Sequence, residues 1–494
     1  MRRASILRLA SMKSAALTVA LTLAAGAAAG QTIDWMAGTE GLTLERGVSA
    51  RLDGMGGLRI TIPDEGYELN FSDYGGLVSG ILDDSDGRTW EFFSRGRDKV
   101  LDDVDESGLR TRDRASRVQS GGQMAWRSQN KRVLGLDFSL DRIRSTVERG
   151  DRHNLNGPYW GGFGAQRVGS LVLGGAIHFR NDNEDLRTED VFAIRHDGSG
   201  QIYDLSATYG TGLLRLGGQA EWQVNTIKGV SRDESRFHED EMTWKRPISI
   251  YSAIALLEPS EKIQGGVRFT NLSLDGREEA DISWSDRMPS NPGRVNFRMR
   301  AGTFDEEIRD RTIGTRWQIA AARSIRLAVA YDRSHRTENV VEGANFKGSR
   351  RALDLTVDSD RVGGGAGWAS GDQRLRLGVE GWMLRQKSDQ KQVEGNVETT
   401  SRSLDLRAGA EWLLRNDFAL RAGYVRSVHD DDIDAPRTLR KGDGVTLGAG
   451  YFPRGGLIQL DAAIRFQTWD PDYEGSPSID ESGTGFSLGA RFLL

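Results

Sequence analysis

The chain has 494 residues but no cysteine, only 10 prolines and, after its first 30 residues, no long apolar run. The absence of cysteine excludes disulfide bonds, thiolate metal sites and a lipid-modified N-terminal cysteine. Without another long apolar run, any crossing of a membrane after that point must be made by strands. The formal net charge is only −5, so the composition gives no reason to expect nucleic acid as a partner.

The first 30 residues have the order of a secretory signal. Arg2, Arg3 and Lys13 are basic, the apolar run Ala15–Ala25 follows, and small residues continue to Gly30. The apolar run is short for the roughly 20 residues of a membrane-spanning helix, and it ends in a small-residue cleavage pattern. We therefore expect residues 1–30 to be a cleaved signal peptide.

From about Ala115 onward the chain repeats stretches of alternating apolar and polar residues. Side chains alternate between the two sides of a strand, so each stretch has one apolar and one polar face. The pattern predicts an all-β fold, a transmembrane antiparallel β-barrel of about 14–16 strands, with 18 possible, in the outer membrane of a Gram-negative cell. After the first stretch, the others are Lys131–Leu140, Ser170–Arg180, Tyr203–Tyr209, Leu214–Val224, Ile263–Phe269, Ile313–Ile319, Ile325–Tyr331, Leu375–Met383, Leu404–Leu414, Phe418–Tyr424, Val445–Tyr451, Ile458–Phe466 and Phe486–Leu494.

The last of these stretches has the pattern of a closing barrel strand. Phe486, Leu488, Phe492 and Leu494 fall on its apolar face. We expect outer-membrane lipid to surround this face, and the barrel-assembly machinery to recognise these four residues.

The connections between stretches alternate between short and long. Short turns at one end and long loops at the other are typical of outer-membrane barrels. The sequence predicts long loops at Gly150–Arg167 and Asn225–Arg246, for example. Asp182–Gly200 and Val295–Phe304 can each be a strand or part of a loop.

The stretch between the signal and the barrel, residues 31–114, does not share the alternation. It contains Arg51-Leu-Asp-Gly-Met-Gly-Gly57, followed by Asp64 and Asn70. These residues resemble the N-terminal hatch of the long-chain fatty-acid transporter (FadL-like) family, although the Asn-Pro-Ala-Gly-Leu-type element of that family is missing. The resemblance implies a plug inside the barrel and a passage for a hydrophobic ligand.

We accordingly divide the chain into a signal peptide (1–30), a plug-like or periplasmic segment (31–114) and a transmembrane barrel (115–494). The candidate plug or turn residues are Gly54, Met55, Gly56, Gly57 and Asn70. The alternative is that the three glycines only permit a tight turn.

Charged residues occupy the faces opposite the apolar ones. On one predicted strand these are Arg374, Arg376 and Glu380, and on the next they are Asp405, Arg407 and Glu411. Because both signs occur on neighbouring strands, we expect them to pair with one another inside the barrel rather than to form a selectivity filter of one sign. Such pairing favours a filled or plugged lumen.

No motif points to catalysis, a cofactor or a metal. The six histidines show no HExxH pattern, and the acidic clusters lack the spacing of a calcium loop. We therefore expect a barrel for passive uptake of a small hydrophobic or amphipathic molecule, and not an enzyme. The alternatives are a scaffold barrel that anchors partners, a general porin and, less favoured, a lipid hydrolase that uses His178.

Overall fold

The computed structural model describes residues 87–493 except for short stretches between strands and, before them, Arg51, Met55, Leu58, Ile60 and Thr61. The strands are β1 (Gly87–Val104), β2 (Arg110–Ser128), β3 (Arg132–Thr146), β4 (Arg152–Val168), β5 (Leu171–Thr188), β6 (Phe192–Thr211), β7 (Leu214–Asp233), β8 (His238–Ser260), β9 (Ile263–Asp286), β10 (Val295–Ala322), β11 (Ile325–Glu342), β12 (Ala352–Ala369), β13 (Leu375–Gln392), β14 (Gly395–Arg415), β15 (Phe418–Ile433), β16 (Thr438–Tyr451), β17 (Ile458–Tyr473) and β18 (Ile479–Leu493).

These 18 strands form one closed antiparallel barrel. Each strand pairs with its neighbours in the sequence, and β1 pairs with β18 to close the cylinder, with Thr89 opposite Leu493. Phe92 on β1 packs edge-to-face against Phe492 on β18, with their ring centroids 6.3 Å apart. Closure leaves no unpaired strand edge, which is the condition for a sheet that crosses a membrane.

The two faces of the wall differ as the alternation predicts. On β3, the side chains of Leu134 and Leu136 are exposed on the outside of the barrel. Val133, the residue before Leu134, is only 1% exposed and faces the lumen. The same outward exposure of large apolar side chains recurs around the barrel. An apolar outer band is the surface that lipid requires, so the fold is a transmembrane β-barrel. Within the part of the chain that the structure describes, no helix is long and apolar enough to span a bilayer.

The barrel has 18 strands, the number that the sequence left possible beyond the expected 14–16, and the strands that the alternation did not identify include β4 and β8. The region predicted as the loop Gly150–Arg167 is β4, whose outward face carries small residues such as Gly162 and Gly164 instead of leucines. On β8 the pattern is reversed, because Ile248 and Ile254 face the lumen. Alternation with an apolar outer face therefore fails to identify these two strands.

The barrel also begins earlier than the predicted boundary at residue 115. Strand β1 lies inside the stretch 31–114 that the sequence assigned to the plug. On the outward face of β1, the apolar residues are interrupted by Ser94, Gly96 and Asp98. The alternation is therefore hard to recognise in the sequence. The N-terminal segment, as we use the term below, is residues 31–86.

Most of the predicted long loops are strand. The strands run from 14 residues in β16 to 28 in β10, more than the roughly 9–11 that a bilayer requires. Both undecided regions are largely strand: Val295–Phe304 opens β10, and Asp182–Gly200 is divided between β5 and β6. The wall therefore extends beyond the membrane at one end. We call the opposite end, where turns such as Gly169–Ser170 connect the strands, the short-turn end.

Candidate functional site

A buried carboxylate on the lumenal face of β14, Glu411, binds three arginines. Arg51 of the N-terminal segment donates to both carboxylate oxygens of Glu411, from Nε at 2.8 Å and from Nη2 at 2.7 Å. Arg421 on β15 donates from Nε at 2.9 Å, and Arg376 on β13 donates from Nη1 at 3.3 Å. A bidentate arginine contact fixes direction as well as distance, so Arg51 is held in one orientation against the wall.

The network continues along the wall through Arg421. Its Nη1 donates to Asp461 Oδ1 on β17 at 2.6 Å, and the Arg421 side chain is fully shielded from solvent. Buried charges are tolerated only when they are paired and hydrogen-bonded. Arg421 therefore couples three strands of the wall to the same carboxylate that holds the N-terminal segment.

A second buried carboxylate, Glu380 on β13, holds the backbone of the N-terminal segment. Its Oε1 accepts hydrogen bonds from the backbone nitrogens of Ile60 (2.7 Å) and Thr61 (2.9 Å), and from the Thr61 hydroxyl (2.9 Å). Trp382 on the same strand donates to Oε2 at 3.1 Å. Gln318 on β10 donates to the Ile60 carbonyl at 2.9 Å, so the segment is held from two directions.

Glycines on the lumenal wall make room for this close approach. A Cβ atom added at Gly409 would lie 2.2 Å from the Met55 carbonyl oxygen, and one at Gly367 would lie 2.2 Å from the Thr61 carbonyl oxygen. Real Cβ atoms do not approach a backbone oxygen so closely, so only glycine fits at these positions. Gly367 thus leaves room for the N-terminal segment against β12.

Together, these interactions place the described part of the N-terminal segment inside the barrel. We call the hydrogen bonds from Arg51 to Glu411, and from Ile60 and Thr61 to Glu380, the anchor contacts. Met55, which lies between Arg51 and Ile60 in the sequence, is fully buried. Residues of the N-terminal segment therefore occupy lumenal space next to β12–β15.

The predicted lumenal charges fall into two groups. Arg376, Glu380, Arg407 and Glu411 face the lumen, and the register sets Arg376 opposite Glu411 and Glu380 opposite Arg407. Pairing between neighbouring strands is thus found for Arg376 and Glu411. Asp405 lies on the same face and pairs with Arg407, with Oδ2 and Nη2 3.3 Å apart.

Arg374 differs from the others, because it lies in the turn between β12 and β13 and is exposed. Its backbone nitrogen donates to Asp372, which also accepts a 2.5 Å hydrogen bond from the Ser370 hydroxyl. That hydroxyl bond lowers the pKa of Asp372. Of the predicted plug residues, Gly54, Gly56, Gly57 and Asn70 lie outside the described residues, whereas Met55 is described.

The sequence did not single out Arg51, Thr61, Arg421 or Asp461 as site residues. Alternation alone indicates that Arg421 faces inward, because Leu420 and Tyr424 face lipid. It cannot show which residue meets Arg51, since the contact with Glu411 joins positions 360 residues apart.

Part of the lumenal wall is apolar. One cluster of buried side chains, which we call the β8–β10 patch, consists of Ile248, Ile250, Leu272, Leu274 and Ile308. A second, the β2–β5 patch, consists of Ala125, Val133, Phe163, Ala165, Val172 and Ala176. These residues lie on the face of their strands opposite the lipid-facing one. The interior of a water-filled channel is expected to be polar, so these patches set this lumen apart.

His178, the candidate residue for hydrolysis, pairs with an aspartate on β3. Its Nε2 lies 3.1 Å from Asp137 Oδ1, and its ring stacks on Tyr159 with centroids 4.8 Å apart. Among the described contacts of His178, none is with a serine hydroxyl.

Comparison with known proteins gives structural likeness only. No family model matches the chain, and no curated protein matches it in sequence. Among solved structures, the CymD monoaromatic hydrocarbon channel is 12% identical at a TM-score of 0.38, covering 91% of this chain and 98% of that one. The toluene transporter TodX of Pseudomonas putida is 10% identical at a TM-score of 0.34, covering 90% and 97%. The copper transporter OprC is 11% identical at 0.45, covering 83% and 82%.

At identities of 10–12% and TM-scores below 0.5, the function must be argued from the residues of this chain.

Proposed function

We propose that this protein is an outer-membrane barrel for the passive uptake of a small hydrophobic or amphipathic molecule, closed at rest by its N-terminal segment. The anchor contacts are the observation that carries the proposal. They fix Arg51, Ile60 and Thr61 to buried carboxylates on the lumenal wall. A segment bonded inside the lumen restricts free diffusion, which argues against a general porin.

The apolar patches support a hydrophobic cargo. A solute that leaves water gains free energy from apolar contact in proportion to the area that it buries. The β8–β10 patch and the β2–β5 patch supply such contact on the lumenal side of the wall. Transport down a concentration gradient requires no reaction and no cofactor, and so no catalytic residue is assigned.

Uptake into proteoliposomes tests the cargo. Toluene serves as the apolar probe, and glucose serves as a polar solute. We expect the protein to accelerate toluene entry over protein-free liposomes and to leave glucose entry nearly unchanged. A scaffold barrel would accelerate neither solute, and a general porin would admit glucose, so either result would contradict the proposal.

Residues 1–30 and the closing strand support export of the protein and its insertion in the outer membrane. We propose that residues 1–30 are removed as a signal peptide, that residues 31–86 form the plug, and that residues 87–494 form the barrel. Phe486, Leu488 and Phe492 face outward on the closing strand, where the assembly machinery can contact them. Replacement of Phe492 by Ser should then reduce the amount of barrel inserted in the outer membrane, measured by cell fractionation.

A further inference from the structure

Three buried polar atoms on neighbouring strands have no hydrogen-bond partner, and two more face each other. The three are Asp204 Oδ1 and Ser206 Oγ on β6 and Gln219 Oε1 on β7, and the two are Asp137 Oδ1 on β3 and His178 Nε2 on β5, which lie 3.1 Å apart. We call these five residues the acceptor cluster. A buried polar atom without a partner has lost its water without compensation, and so each one needs an explanation.

The register brings the members of the cluster together on one part of the lumenal wall. Ser206 lies directly opposite Gln219, and Asp204 lies opposite Glu221. His178 reaches across β4 toward Asp137 because Gly161 stands between them, where an added Cβ would lie 2.1 Å from the imidazole. The five residues thus form a continuous surface across β3–β7.

The chemistry of this surface is that of an acceptor of hydrogen bonds. The Asp137 carboxylate faces His178, and Asp204 presents its Oδ1 without a hydrogen bond. Gln219 presents its carbonyl oxygen because its amide nitrogen donates to Asp204 Oδ2. Glu221 adds a third carboxylate opposite Asp204, and it accepts a hydrogen bond from Gln223. A group that satisfies these atoms must donate several hydrogen bonds, and a positive charge on it would offset the carboxylates.

An apolar surface adjoins the cluster on the same strand. Ala176 of the β2–β5 patch is the neighbour of His178 on the lumenal face of β5, Val172 lies further along the same face, and Phe163 on β4 lies opposite Ala176. A ligand that satisfies both surfaces therefore has a charged donor group at one end and an apolar body at the other.

We propose that the acceptor cluster binds the ammonium group of a small amphipathic amine, whose apolar body lies on the β2–β5 patch. The proposal rests on the proposed uptake function, because it names the class of molecule that the barrel admits. Anions are disfavoured at this position, since they would face carboxylates. A bound metal ion is not the explanation that the geometry favours, because no group of His, Asp and Glu side chains among the described residues is placed to hold one.

The test is isothermal titration of the full-length protein in detergent with two probes of nearly equal shape. Phenethylammonium carries the cationic donor, and 2-phenylethanol carries a neutral hydroxyl at the same place. We expect the amine to bind about tenfold more tightly than the alcohol or better, as a charge-assisted hydrogen bond provides. Equal affinity for the two probes, or no binding of the amine, would overturn the proposal.

Variants locate the binding. Asp204→Asn should weaken amine binding about tenfold and leave alcohol binding nearly unchanged, since only one charge is removed. Asp275→Asn removes an exposed carboxylate on the outer face and is the matched control. Ser206→Ala, which keeps all charges, should weaken amine binding less. Unchanged amine affinity in both cluster variants would contradict the assignment.

Two controls keep the outcomes separate. The shift in electrophoretic mobility between boiled and unboiled samples shows whether each variant is a folded barrel. Toluene uptake by the same preparation tests the proposed function without the cluster. Toluene uptake without amine selectivity would overturn only this inference, whereas loss of toluene uptake in the wild type would overturn the proposed function.

Discussion

Arg51 and Glu411 form a bidentate ion pair inside the barrel, with donor–acceptor distances of 2.8 and 2.7 Å, although 360 residues separate them in the sequence. The pair joins a segment that precedes the first strand to the wall at β14. Arg421 and Arg376 of the wall bind the same carboxylate, so Glu411 is held by wall residues as well as by Arg51. Weakening it should release the segment without dismantling the barrel.

The first prediction concerns the charge of Glu411. Glu411→Gln removes the carboxylate that orients Arg51, and we expect the N-terminal segment to leave the wall more often. Planar-bilayer recordings should show a higher mean conductance, with more frequent open events than in the wild type. Glu307→Gln, an exposed carboxylate on the outer face, is the control and should leave conductance unchanged. Identical recordings from the two variants would speak against the anchor role.

The second prediction uses space instead of charge. Gly409→Ala places a Cβ atom 2.2 Å from the Met55 carbonyl oxygen, so the segment must move away from the wall. We expect conductance to rise as in Glu411→Gln. Gly381→Ala adds the same methyl group on the lipid face of neighbouring β13, where the nearest atom is 3.6 Å away, and should change nothing. If both alanine variants conduct like the wild type, the segment is not held close to Gly409.

The third prediction concerns stability. Arg421→Ala removes the cation between Glu411 and Asp461 and leaves buried negative charge without that partner. Breaking a buried ion pair in this way costs about 3–5 kcal/mol. Arg309→Ala breaks an exposed pair with Asp275 and should cost about 0–1 kcal/mol. Urea unfolding in micelles measures both, and comparable losses in the two variants would contradict the assigned burial.

The fourth prediction concerns orientation in the membrane. Since the chain has no cysteine, a single introduced one can be labelled without background. The turn at Gly371 lies at the short-turn end, which should face the periplasm. A maleimide that cannot cross membranes should label Lys391→Cys on intact cells and Gly371→Cys only after permeabilisation. The reverse order of labelling would invert the assigned orientation.

The sequence predicts the barrel well wherever the outer face is continuously apolar. Strands such as β3 and β18 follow that rule, because lipid selects apolar side chains on one side only. The rule fails on β8, where Ile248 faces the lumen, and on β1, where Asp98 interrupts the outer face. Packing inside a filled lumen places apolar residues on the side that a wet channel would keep polar.

The site is predictable only in part. Alternation assigns Arg376, Glu380, Arg407 and Glu411 to the lumen, and neighbouring stretches of sequence suggest that they pair. A one-dimensional pattern cannot show that Arg51 reaches Glu411, since that contact depends on how the barrel closes around the segment. The anchor contacts can therefore be identified only from the three-dimensional structure.

Deletion of residues 31–86 tests the central claim most directly, because it removes the N-terminal segment and leaves every strand in place. Single-channel conductance in planar bilayers is the measurement. We expect a large, steady conductance from the truncated barrel and little from the full-length protein. An unchanged conductance after the deletion, in a barrel that still shows its heat-dependent electrophoretic shift, would contradict the account of a lumen closed by this segment.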